Sequence, residues 1–129
     1  MRHRAWITGM AAALVFAASP GLRAWSAPSG QDLAQQGRQV FGAAGCDACH
    51  FEGSIVAPSL KGVAGRRIAG VGRYAYSTAL KAKAGTWTDA NLDAFLADPQ
   101  GFAPGTEMLA PGTDEPERLA IIAYLKTLR

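Results

Sequence analysis

Cys46-Asp47-Ala48-Cys49-His50 decides how this 129-residue chain is read. The spacing C-x-x-C-H fits covalent haem attachment. Two thiols separated by two residues reach the two vinyl groups on one edge of a porphyrin. The imidazole that follows is placed to bind the iron from one face. Three other uses of these residues compete. A disulfide between Cys46 and Cys49 is compatible with an oxidising compartment. A thioredoxin-like redox pair needs a βαβ context, and no strand pattern precedes Cys46. A zinc site needs about four ligands, and no second Cys or His cluster follows.

Upstream of the motif, Met1-Arg2-His3-Arg4 precedes a mostly apolar run from Ala5 to Ala18, broken by Pro20 and Gly21. Ala24-Trp25-Ser26 then offers small residues at the two positions a signal peptidase reads. Residues 1–26 are therefore expected to be a secretory leader, with residues 27–129 as one exported domain. The alternative is an uncleaved anchor, but an apolar run of about 14 residues falls short of the roughly 20 that span a bilayer. The leader carries the chain's excess of basic charge. The whole chain has 13 basic and 10 acidic residues, a net charge of +3. Without Arg2, Arg4 and Arg23 the counts are equal, and nothing supports nucleic-acid binding.

The domain reads as all-α, with three main helices and long loops. Leu33, Gly37, Val40 and Phe41 share one helical face after a polar lead-in, Ala27–Gly30, and Gly42 and Gly45 end that helix. Ser77 caps a short helix expected to run through Ala84. Thr88 caps Asp89–Asp98, with Leu92, Phe95 and Leu96 inward and Pro99 closing it. Gln100–Thr113 carries Gly or Pro at five positions and reads as loop. Asp114 and Glu117 form a capping box for a last helix to Thr127, which buries Ile121, Tyr124, Leu125 and Leu128. Loops this long are unusual in so small a domain, so a cofactor is expected to fill its centre.

Within residues 27–129, His50 is the one histidine and Met108 the one methionine. Two histidine ligands are thus excluded for the domain. A lone Met is usually a core residue, but Met108 sits in the loop Pro104-Gly105-Thr106-Glu107-Met108, which favours it as the second axial ligand.

With those motifs in order, residues 31–129 resemble the class I cytochromes c. Gly37 and Phe41 look like the family's first-helix contact pair, meeting Tyr124 on the last helix. Ala57-Pro58-Ser59-Leu60 resembles the segment whose Pro carbonyl takes the proximal His ring N–H. Gly65-Arg66, Tyr76-Ser77 and Trp87 follow in the family's order, and the resemblance implies that Arg66, Tyr76 and Trp87 gather round the haem propionates. Arg66 fits the family position better than Arg67. Pro104–Met108 resembles the methionine-ligand loop, and Arg118 with Ile122–Lys126 resembles the final helix. The implied fold is the small cytochrome c fold wrapped round one haem c, attached through Cys46 and Cys49, with His50 and Met108 on the iron. The chain departs from mitochondrial-type members at Phe95, Glu107 and Ala110, where those proteins carry Tyr, often Lys, and an aromatic.

The resemblance implies a periplasmic monohaem carrier of single electrons between protein partners, not an enzyme. It would be monomeric, with peripheral contact to membrane-bound redox complexes allowed. The main alternative is an electron-relay subunit of a periplasmic dehydrogenase complex. A sensor or peroxidase needs an open sixth position, against which Met108 argues. Charge is segregated: residues 61–83 hold six bases and no acid, residues 84–117 seven acids and no base. Such a layout orients encounter with a charged partner or is simply solvated surface. With Glu107 beside the expected ligand, the partner face is expected to be basic or apolar there.

Overall fold

The computed structural model describes residues 26–129, so the expected leader lies outside the described residues except for Ser26. Five helices follow one another: α1 Gly30–Ala43, α2 Thr78–Lys81, α3 Asp89–Ala97, α4 Pro99–Phe102 and α5 Glu115–Leu125. Among the described residues there is no strand, only one isolated antiparallel bridge between Arg67 and Thr86. The all-α reading with three main helices, α1, α3 and α5, matches this architecture.

Each main helix starts where its side chains satisfy orphan N–H groups. At α5, Glu117 N–H donates to Asp114 Oδ1 at 2.9 Å and Asp114 N–H donates to Glu117 Oε2 at 3.0 Å, the expected box. A second box opens α1, where Asp32 N–H donates to Ser29 Oγ and Ser29 N–H to Asp32 Oδ2. It turns the last residue of the expected lead-in into the first residue of the helix. Thr88 caps α3 through Asn91 N–H at 3.1 Å.

Helices α1 and α5 cross at Gly37. A Cβ there would strike the carbonyl of Ala120, so only glycine permits this approach. One turn on, Phe41 and Tyr124 meet edge to face with centroids 5.4 Å apart. Helix α5 buries Ala120, Ile121, Ile122 and Leu125. Two expected core residues are corrected here: Tyr124 and Leu128 are only half-buried. The helix stops at Leu125, because Thr127 caps the Tyr124 carbonyl with both its N–H and its hydroxyl. Leu128 thus leaves the helical face, and its own carbonyl accepts from Gly62 N–H at 2.7 Å.

Two further expectations give way. Helix α2 ends at Lys81 rather than running through Ala84. The chain beyond pairs with the 65–68 segment, Ile68 N–H donating to Gly85 O and Trp87 N–H to Arg66 O, which a longer helix would forbid. Pro99 follows the end of α3 but also starts α4, so Gln100–Phe102 is helix rather than the expected loop. Its fixed φ suits the first helical position, and the Asp98 carboxylate accepts from Gly101 N–H at 2.9 Å. Gly101 itself leaves room for that carboxylate. Phe102 at the end of α4 stacks on Trp87 at 5.7 Å and meets Phe95 edge-on at 5.5 Å.

Gly37→Ala should therefore destabilise the haem-loaded protein by about 1–3 kcal/mol or more, as overpacking does. Gln36→Ala on the exposed face should stay within about 0.5 kcal/mol. Denaturant midpoints check both. Equal midpoints for the two variants would mean that the crossing tolerates a side chain.

Candidate functional site

Helices α1, α3 and α5 pack on one another yet leave a space beside their contacts. They and the loops surround a mainly apolar cavity of about 610 Å³, walled by Phe41, Leu92, Phe95, Leu96, Ile121 and Leu125. All eight residues singled out from the sequence border it: Cys46, Cys49, His50, Pro58, Arg66, Tyr76, Trp87 and Met108.

The motif is delivered by a tight turn. Gly45, at φ +72°, reverses the chain out of α1. A single 3₁₀ turn, Cys46–Ala48, follows, and His50 N–H donates back to Cys46 O at 2.9 Å. This turn brings both thiols and the imidazole to the same cavity. Cys46 and Cys49 form no disulfide with each other. Burial pushes the Cys46 thiol pKa above its usual value. Among the described residues, no group of three or more His, Cys, Asp and Glu could hold a metal ion by itself.

His50 is oriented by its own loop. Its Nδ1 lies 2.9 Å from the Pro58 carbonyl. A carbonyl only accepts, so Nδ1 carries the proton and Nε2 keeps its lone pair for a metal. Burial lowers the His50 pKa, with the Pro58 hydrogen bond opposing, so the imidazole favours its neutral form.

Across the cavity floor, Arg66 donates from Nη1 to Lys61 O at 2.7 Å and from Nη2 to Ser59 O at 2.8 Å. Its Nε is buried with no partner. A buried donor without an acceptor calls for an explanation, and an anionic group on the cavity's guest supplies one. Arg67 is exposed and takes part in the bridge to Thr86 instead. Tyr76 borders the cavity, and its hydroxyl accepts from Val71 N–H at 3.4 Å. Trp87 is buried between Phe95 and Phe102. Met108 is half-buried at the opposite loop, with buried Thr106 two residues before it.

Tyr74 went unread in the sequence. It borders the cavity, packs edge-on against Tyr76 at 4.8 Å, and donates to Val56 O at 2.9 Å. The hydroxyl thus ties the loop after His50 to the loop before α2. Its pKa is raised, first by burial and then by the Glu107 carboxylate. The repeat Tyr74-Ala75-Tyr76 is the one sequence signal, since alternate residues of an extended segment share a face.

These residues fit a haem. The walls are mainly apolar, the two thiols and the imidazole stand together, a thioether faces the same space, and the buried Nε of Arg66 lacks an acceptor.

Comparison with known proteins agrees. A family model, cytochrome c, matches residues 34–129. The chain is 36% identical over 121 residues to cytochrome c-554 of Methylosinus trichosporium, covering 90% of this chain and 86% of that one. It is 45% identical over 86 residues to cytochrome c-type cyt cy of Rhodobacter capsulatus, covering 64% of this chain but only 43% of that protein. The match likewise spans 48% of the cytochrome c homolog of Bradyrhizobium diazoefficiens, so the matched segment covers less than half of some relatives. The solved structure of cytochrome cH from Methylobacterium extorquens superposes with a TM-score of 0.65 at 46% identity, covering 73% of this chain and 97% of that chain. The chain belongs to the cytochrome c family, whose members are electron carriers that bind haem c through a cysteine pair.

Proposed function

We propose that this protein is an exported periplasmic carrier of single electrons, holding one haem c per chain through thioethers to Cys46 and Cys49. The observation that carries the reading is a single cavity bordered by both thiols, by an imidazole with Nε2 left free, and by Met108. When bound, haem supplies an iron that cycles between ferrous and ferric states by one electron. His50 gives the proximal ligand, and the Pro58 carbonyl raises its basicity and fixes its ring. Met108 gives the distal thioether. With His50 and Met108 both holding the iron, a substrate would find no open site on it, so the chain would pass electrons and do no bond chemistry. Arg66 offers its Nε to a propionate, whose charge would otherwise be buried without a donor. Tyr76 and Trp87 border the same region.

The partners are protein donors and acceptors that approach the cavity mouth. Ile55 and Leu109 are 91% and 83% exposed, and Leu109 and Val56 border the mouth itself. Glu107 stands beside them, so a partner face that is apolar with basic residues fits better than an acidic one. The chain acts as a monomer apart from such encounters. No helix among the described residues is long and apolar enough to cross a membrane. Export rests on the leader read at residues 1–26. The exposed apolar mouth also favours a second reading, a relay subunit docked on a dehydrogenase. A free carrier elutes as a monomer from its native extract, and a subunit co-elutes with dehydrogenase activity.

Two outcomes follow for the site. The denatured protein should exceed the polypeptide mass by one haem, and that haem should resist acid–acetone extraction. Haem passing into the organic layer would exclude covalent attachment. The ferric protein should show the weak band near the red end of the spectrum that marks sulfur on iron. Met108→Ala should abolish that band and lower the reduction potential, because thioether favours ferrous iron. A spectrum untouched by Met108→Ala would assign the sixth position to another group.

A further inference from the structure

The loop that carries Met108 has little to hold it. Residues 107–112 make no backbone–backbone hydrogen bond among the described residues. Just before them, Thr106 N–H donates to Ala103 O at 3.0 Å, and Gly105 turns the chain at φ +88°. The remaining restraint comes from one side chain. The Gln100 Oε1 accepts from Gly105 N–H at 3.0 Å, while its Nε2 donates to Thr106 O. Only one orientation of the amide satisfies both bonds, so the pair fixes loop and side chain together. Gln100 is itself firmly based. Helix α4 is closed by Phe102 N–H to Asp98 O and Ala103 N–H to Pro99 O, each at 2.9 Å. Pro99 and Ala103 on either side are buried, and Phe102 is stacked on Trp87.

We propose that Gln100 is the positioning residue that clamps the Met108 loop over the cavity and so governs how readily the Met108 sulfur leaves the iron. The proposal rests on the His50/Met108 ligation reading. Helix α4 gives a rigid base, the amide spans to Gly105 and Thr106, and Met108 follows two residues later on otherwise unbonded backbone. Without the clamp, conformers with the sulfur withdrawn become more populated. An outside ligand that needs the sixth position then binds more tightly, in proportion to that population.

Gln100→Leu keeps the side-chain volume and removes both bonds. In the haem-loaded ferric protein, imidazole should displace Met108 with a dissociation constant about tenfold lower than in wild type, as loss of two ordinary hydrogen bonds implies. The Thr106 amide, which does not itself bond Gln100, should exchange with solvent about tenfold faster. A residue with a merely structural role would lower the unfolding midpoint and leave imidazole competition alone. If Gln100→Leu gives no holoprotein, Gln100→Asn, whose amide is one methylene too short for both bonds, is measured instead with the same expectation. Imidazole affinity and Thr106 exchange within twofold of wild type would overturn the clamp while leaving ligation intact. A ferric spectrum unchanged by Met108→Ala would overturn the ligation reading, and with it the control of sulfur release claimed for Gln100.

Discussion

An apolar space that its own walls do not fill organises this protein. Phe41, Leu92, Phe95, Leu96, Ile121 and Leu125 belong to one packed cluster, yet they also border a space that short helices joined by long loops leave unfilled. Buried apolar surface supplies most of the stability of a small domain. Here part of that surface is arranged to be completed by a flat, largely apolar guest with anionic edges. Surface charge offers little in its place. Two of the three ion pairs among the described residues, Lys61–Glu52 and Lys126–Asp89, are exposed, and such pairs contribute about 0–1 kcal/mol. Only Arg118–Asp93, at 2.7 Å and partly buried, ties α5 to α3 with some strength.

The frame divides the work between two halves. The α1–α5 crossing at Gly37 sets where α1 ends, and Gly45 then turns the thiols and His50 toward the cavity. Helices α3 and α4, with Trp87, form an aromatic wall on which Lys83 also lies, its Nζ 4.7 Å from the centre of the Phe102 ring. From that wall the chain runs into the Met108 loop. The proximal side is held by a local turn and the Pro58 carbonyl. The distal side is held by a segment with almost no backbone bonding of its own. On the proposed ligation, this asymmetry would make the Met108 thioether the more easily exchanged of the two ligands.

The parts of the site visible in the sequence were those written in short-range chemistry. C-x-x-C-H, the lone His50 and the lone Met108 are matters of spacing and count. The Asp114/Glu117 box and the Ser77 and Thr88 caps are each contained within four residues. The α1 box escaped because Asp32 replaces the longer Glu or Gln that usually marks the pattern. Pro99 reads as a stop because proline ends helices more often than it starts them so soon after one. Tyr74 shows only in the Tyr74-Ala75-Tyr76 repeat, and Gln100 is not legible at all. Their hydrogen bonds reach Val56, Gly105 and Thr106, and those partners are set by loop conformation rather than periodicity. The charge blocks were legible as a pattern, but their meaning depends on a partner.

The central claim is that the fold is completed by its guest. The direct measurement is far-ultraviolet circular dichroism with thermal unfolding on the Cys46→Ser/Cys49→Ser chain prepared without haem, beside the haem-loaded protein. The account predicts that the haem-free chain loses most of its helical signal and melts without a cooperative transition. A haem-free chain with the same helical content and a sharp transition would contradict it, since α1, α3 and α5 would then form a sufficient core by themselves.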